Sequence, residues 1–207
     1  MVRVIAIAGS PRRGGNTETL LDRFLAGARS AGADVNKIVA SDLDVEPCND
    51  CEGCWVDGHC IASDDYQMVC EELIAADVIV LASPLYFWNV PSQVKTVIDR
   101  SQCMWSRKLV VKEPLPPSTS GHARRRGVFI CVGGHRVRYF EGAVRTIKSF
   151  FRVFDVDYWA ELLYHGVDAK NEIEEQPLAL QEAYDLGFRA VGEAWVAEDR
   201  SAPMSFL

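Results

Sequence analysis

VRVIAIAGSPRRGGNT, residues Val2 to Thr17, sets the reading of the whole chain. The run from Val2 to Ala8 is almost continuously apolar and rich in β-branched side chains, as expected of a strand buried on both faces of a parallel sheet. Gly9 stops it. From Asn16 the apolar residues Leu20, Leu21, Phe24, Leu25 and Ala28 recur at helical spacing, and Asn16 stands where a side chain could cap the first turn. A buried strand, a glycine-rich turn and a helix together make the first half of a β-α-β crossover.

The unit repeats along the chain. Strands are predicted at Asp34 to Val39, Asp77 to Ala82, Gly127 to Val132 and Val156 to Leu163, with helices at Asp64 to Ala75, Pro91 to Arg100, Gly142 to Phe154 and Leu178 to Val196. Right-handed crossovers leave few ways to assemble such a series. The expected fold is α/β, a three-layer doubly wound sheet of five parallel strands in the order 2-1-3-4-5, in a single domain spanning residues 1–207. Ser101 to Arg126 contains Pro114, Pro116, Pro117 and Gly121 and reads as an irregular excursion before the fourth strand. Ser201 to Leu207 reads as a frayed tail.

Composition narrows the function. With 207 residues and 48% hydrophobic content the chain can bury one substantial core. The N-terminal apolar run is too short for a signal peptide, and no stretch approaches the ~18–20 apolar residues of a membrane span, so a cytoplasmic protein is expected. A net charge of −7 counts against nucleic acid as a partner. The basic triplet Arg124-Arg125-Arg126 reads as a solvated turn before a strand.

In the expected strand order, ligands bind in the crevice outside the ends of strands one and three. The loop leaving strand one offers the hydroxyl of Ser10, the guanidinium of Arg12, two glycines, and the polar side chains of Asn16 and Thr17 at a helix start. That suits a phosphate. It has neither a Walker lysine nor G-x-G-x-x-G spacing, so a single terminal phosphate, as on FMN, fits better than a pyrophosphate. The loop leaving strand three, SPLYFWNVP, is stiffened by Pro84 and Pro91. Between them Tyr86, Phe87 and Trp88 supply flat faces, and the backbone from Leu85 to Asn89 supplies donors that an isoalloxazine ring could use. At the end of strand four, Gly133 and Gly134 permit close backbone approach to a ligand, and His135 follows them.

CNDCEGCWVDGHC, Cys48 to Cys60, places four of the seven cysteines within thirteen positions. Spacings of three, three and six, with Gly53 and Gly58 at the turns, allow a local wrap around a small cuboidal cluster. A zinc ion, or a thiol-rich lid that binds no metal, are the alternatives that the spacing leaves open. Asp64 and Asp65 are expected to cap the next helix. Cys70, Cys103 and Cys131 are expected to pack.

GSPRRGGNT, C-x2-C-x2-C-x5-C with Asp64-Asp65, and SPLYFWNVPSQVKTVIDR together resemble the NADPH-dependent FMN reductase and iron-sulfur flavoprotein family, over roughly Val2 to Phe154. The resemblance implies a flavodoxin-like fold, bound FMN, and a homodimer or homotetramer with the flavin near a subunit interface. It assigns the phosphate to Ser10, Arg12, Asn16 and Thr17, and the ring to Pro84, Leu85, Tyr86, Phe87, Trp88 and Asn89, with Gly133 and Gly134 closing the far side. In iron-sulfur members a [4Fe-4S] cluster would be held by the residues matching Cys48, Cys51, Cys54 and Cys60. The leading expectation is an oxidoreductase in which such a cluster, fed by a ferredoxin-like carrier, exchanges electrons with FMN, which reduces a small acceptor. Direct reduction by NAD(P)H without a cluster, and a non-enzymatic electron-transfer or redox-sensing role, are the alternatives. No side chain need act as a nucleophile, so no catalytic residue is expected.

Overall fold

A computed structural model describes residues 1–195. Five strands, β1 (Arg3–Ala8), β2 (Asp34–Val39), β3 (Val78–Pro84), β4 (Arg125–Gly133) and β5 (Val156–His165), form one sheet in the order β2-β1-β3-β4-β5. Every neighbouring pair is parallel. Helices α1 (Asn16–Ser30), α2 (Tyr66–Ala75), α3 (Ser92–Arg100), α4 (Gln102–Ser106), α5 (Glu141–Val153) and α6 (Pro177–Gly192) cover its two faces. This is the predicted flavodoxin-like arrangement. The predicted end of the last helix, Val196, and the tail from Ser201 lie outside the described residues.

Alternation along the strands sorts the core into two layers. Ile5, Ile7, Ile79, Leu81 and Phe129 face the layer containing Tyr66, Leu73, Val94, Ile147 and Phe151 from α2, α3 and α5. Val4, Ala6, Val78, Val80 and Ile130 face the layer containing Leu20, Phe24, Ala183 and Leu186 from α1 and α6. The central strands are buried on both sides, hence their unbroken apolar runs.

Helices α1 and α6 pack at backbone contact, which two glycines allow. A methyl on Gly187 would run into the carbonyl oxygen of Phe24, and one on Gly27 into that of Tyr184. Neither obstacle is a flexible side chain. Gly187→Ala should therefore cost about 1–3 kcal/mol, seen as a fall in Tm of roughly 2–12 °C by calorimetry. An unchanged Tm would show that the helices separate freely.

Three expectations are corrected. Asn16 does not cap α1: the cap is Gly15, and Asn16 is the first helical residue, its amide directed elsewhere. The basic triplet is not a solvated turn. Arg125 and Arg126 are buried in β4, where Arg125 donates to the carbonyls of Ile74, Phe154 and Pro116 and Arg126 to those of Ala190, Glu193 and Ala194. Carbonyls at element ends need donors, and guanidinium forks supply several each. Finally, the excursion begins with α4 and a π-helical turn at Arg107–Val111. Its far part is pinned beneath the sheet by Asp77, whose buried carboxylate accepts from Arg3 N–H at 2.7 Å, from the Ser120 hydroxyl at 2.8 Å and from the Ser118 hydroxyl.

Candidate functional site

β1 and β3 run side by side, with Ala8 paired to Ala82 and Gly9 N–H donating to the Ala82 carbonyl at 2.7 Å. Their exit loops therefore leave the same edge as neighbours. In the first, the Ser10 hydroxyl accepts Arg12 N–H and donates to the Arg12 carbonyl, both at 3.2 Å, folding the loop on itself. The first intrahelical bond of α1 runs from Thr19 N–H to Gly15. The N–H groups of Asn16, Thr17 and Glu18 precede it, and among the described residues they and the buried Thr17 hydroxyl have no protein acceptor or partner. That is the donor set a helix start offers an anion.

Glu18 sits under this loop and accepts Gly14 N–H at 2.7 Å and Lys37 Nζ at 2.9 Å. Burial opposes its charge, but Lys37 and Gly14 outweigh burial and hold its carboxyl below the ordinary range. Glu18 and Lys37 thus neutralise one another and shape the loop from below.

The segment after β5 closes the far side, which sequence reasoning missed because nothing in GVDAKNEI marks it as a site. Asn16 Nδ2 donates to the Ala169 carbonyl at 2.8 Å and its Oδ1 accepts Ile173 N–H at 3.2 Å. Arg12 Nη1 donates to the Asp168 carbonyl at 3.2 Å. Asn16 is thus a strut, and Arg12 is partly committed. Lys170, whose Nζ lies 4.0 Å from the Cβ position of Gly14, brings a further cation to a loop that already carries Arg12 and Arg13. Gly134 is pressed against Asp168, since a Cβ there would stand 2.7 Å from the carboxylate. Gly133 lies against Leu85.

The second loop is a two-residue hairpin. Tyr86 N–H donates to the Asn89 carbonyl at 2.7 Å, and Asn89 N–H to that of Tyr86 at 2.9 Å. Phe87 (φ 47°) and Trp88 (φ 63°) both occupy left-handed backbone, which turns of this kind normally give to Asn-Gly. Two bulky aromatics there cost on the order of 1–2 kcal/mol each. Phe87 is wholly exposed and Tyr86 and Trp88 half-exposed. Trp88 meets Tyr139 edge-on at 4.6 Å and His135 at 5.3 Å, so His135 joins an aromatic cluster, with its Nδ1 accepting Val137 N–H. Leu85 N–H is used by the Val132 carbonyl, whereas Phe87 and Trp88 N–H have no acceptor among the described residues. The Phe87→Asn, Trp88→Gly double variant should therefore raise Tm by roughly 2–8 °C, measured by calorimetry. A lower Tm would refute stored strain in the turn.

The four loop cysteines border one small cavity of about 60 Å³, together with Arg100, Gln102 and Cys103. The turns use left-handed Asp50 and Glu52 as well as Gly58; Gly53 serves space instead, abutting Ile61. Arg100, 2% exposed, anchors the loop from α3: it pairs with Asp64, donates to the Glu46 carbonyl at 2.8 Å and reaches Cys60 Sγ at 3.3 Å. Burial works against the charge of Asp64, but Arg100 and the N–H groups of Tyr66 and Glu46 hold its carboxyl below the usual range. Asp64 accepts Tyr66 N–H at 3.0 Å at the start of α2, whereas Asp65, which stands at the cap position, makes no side-chain capping bond and accepts Asp44 N–H at 2.8 Å instead. Among the described residues, no three Cys, His, Asp or Glu side chains stand close enough to hold a single metal ion.

A family profile for NADPH-dependent FMN reductase matches residues 2–151. The chain belongs to that family. This makes it a flavin-dependent oxidoreductase. An iron-sulfur flavoprotein of Methanosarcina thermophila is 27% identical over 87% of this chain and 88% of its own length. Another, of Methanocaldococcus jannaschii, is 30% identical over 90% of this chain and 94% of its own. Among solved structures, an FMN-dependent NADH-azoreductase of Bacillus anthracis in complex with FMN shares the fold, with a TM-score of 0.62 at 16% identity over 92% of this chain and all of that one. Among the described residues no helix is long and apolar enough to cross a membrane.

Proposed function

We infer that this reductase binds one FMN in the crevice between the ends of β1 and β3, and that its cysteine loop holds a [4Fe-4S] cluster that passes electrons to the flavin for reduction of a small acceptor. The observation that carries the flavin site is the adjacency of two loops: an unfilled helix-start donor set after β1 and a rigid aromatic hairpin after β3. FMN supplies chemistry that side chains lack, accepting electrons singly or in pairs. Ser10, Thr17, the α1 N–H groups and the Arg12 and Lys170 cations would hold its phosphate, with Asn16 bracing the loop. Leu85 and the Tyr86–Asn89 hairpin would bound the ring, and Phe87 and Trp88 N–H are the donors left for its polar edge. Gly133 and Gly134 keep the opposite wall close to backbone.

Cys48, Cys51, Cys54 and Cys60 would ligate the cluster. The similarity to iron-sulfur flavoproteins supports this, and so does the burial of Arg100 beneath the loop, a fixed cation beside Cys60 that favours a multiply charged anionic centre. The exposed aromatics of the hairpin, with Tyr139 and Val137, favour a homodimer or homotetramer in which a second copy covers the flavin edge. Electrons would come from a ferredoxin-like carrier. Direct reduction by NAD(P)H is a second reading, which the match to an NADPH-dependent family favours.

Anaerobic purification followed by iron, sulfide and flavin analysis tests the assignment: one FMN and about four irons per chain are expected from the four thiolates. Stopped-flow mixing with reduced ferredoxin or NADPH then separates the donors by which of them bleaches the flavin. A colourless protein that takes up no added FMN would overturn the flavin site. Flavin without iron would reduce the loop to a lid.

A further inference from the structure

The segment between β5 and α6 is tied down at both ends. Val167, 3% exposed, donates its N–H to the Gly133 carbonyl at 3.2 Å, and the fully buried Ile173 packs into the layer of α1 and α6. Between these anchors Asp168, Ala169 and Lys170 are exposed and meet the loop after β1. One residue shapes them. Glu172 Oε2 accepts Asp168 N–H at 2.7 Å and Ala169 N–H at 2.9 Å, both bonds strengthened by the carboxylate charge. The planar peptide that gives Ala169 N–H to Glu172 is the one whose carbonyl, that of Asp168, accepts Arg12 Nη1 at 3.2 Å. Glu172 N–H in turn donates to the Ala169 carbonyl at 3.2 Å, the oxygen that also accepts Asn16 Nδ2 at 2.8 Å. Glu172 therefore orients both carbonyls on which Arg12 and Asn16 rest, and the turn that it closes presents Lys170 to Gly14. Among the described residues no hydrogen bond of its side chain reaches the loop after β1, so its influence runs through this turn.

We propose, on the reading that the flavin phosphate lies at the start of α1, that Glu172 is a positioning residue for that phosphate and sets the preference of the site for a phosphorylated flavin. Its carboxylate holds the Asp168–Lys170 turn in the shape that places the Lys170 and Arg12 cations on the loop. Without an acceptor at this point the Asp168 and Ala169 N–H groups turn to water, and both cations lose their fixed place. Glutamine keeps an acceptor oxygen at nearly the same reach, so the turn survives the loss of the charge.

The test titrates the flavin-free full chain with FMN and with riboflavin, which lacks the phosphate, by quenching of flavin fluorescence. Wild type should prefer FMN by about 100-fold or more, since the phosphate adds several charge-assisted hydrogen bonds. Glu172→Ala should lower FMN affinity roughly tenfold and leave riboflavin affinity within about twofold. Glu172→Gln should return FMN affinity to within about threefold of wild type. A wild-type chain that binds the two flavins equally would remove the phosphate site itself. A wild-type preference for FMN that Glu172→Ala keeps in full would overturn the role of Glu172 alone. So would an equal loss of both flavins, the mark of a general loosening of the fold, or a Glu172→Gln chain as weak for FMN as Glu172→Ala.

Discussion

Replacing Arg100 by leucine is expected to destabilise the chain by about 3–5 kcal/mol, the cost of stranding one partner of a buried ion pair. Asp64 would keep its position at the start of α2 but lose the cation that holds its charge, and the Glu46 carbonyl and Cys60 Sγ would lose their donor. The loop would then detach from α3, so loop thiols should react faster with a thiol reagent at concentrations of denaturant that leave the sheet intact. Arg100→Leu with Asp64→Leu should recover much of the loss, because no lone charge remains. Urea unfolding of both variants measures the difference; a single variant as stable as wild type would mean the pair anchors nothing.

The same pair sets an acid limit. The folded Asp64 carboxyl ionises below its unfolded value of about 3.9, so its contribution is complete above that pH and is lost as pH falls through the folded value. The gap in stability between wild type and Arg100→Leu should therefore be constant near neutrality and narrow below about pH 4.

Ser10→Asp is expected to weaken FMN binding about 100- to 1000-fold. One added negative charge ~4 Å from a phosphate costs about 4 kcal/mol at the effective dielectric of a protein surface, and each 1.4 kcal/mol is a factor of about ten. The apo fold should not suffer, because an acidic group near the start of α1 favours the helix by about 0.3–1 kcal/mol. Thermal melting of apo protein and fluorescence titration with FMN separate the two effects. Affinity within about threefold of wild type, some 0.6 kcal/mol, would place the phosphate elsewhere.

Sheet order, strand positions and the two loops that leave β1 and β3 side by side were legible in the sequence because each depends on local rules. Two-sided burial makes a parallel strand read as an unbroken apolar run, and the crossover rule then orders the strands. The loops could be found because strand and helix ends are where such folds place their ligands. The fate of individual polar groups was not legible. Asn16 and the basic triplet Arg124 to Arg126 carry the same chemistry on a turn, in a core or on a strut, and only the neighbours brought by distant chain decide which.

The order of elements and the residues able to meet an anion, an aromatic ring or iron were set by the one-dimensional pattern, since propensity and periodicity act over a few residues. Tertiary structure alone bent Tyr86–Asn89 into a strained hairpin, laid Asp168–Lys170 over the loop after β1 and put Arg100 under the cysteines. Each of these contacts is made across tens of residues or is held against local preference, so its energy comes from packing that no short window of sequence contains.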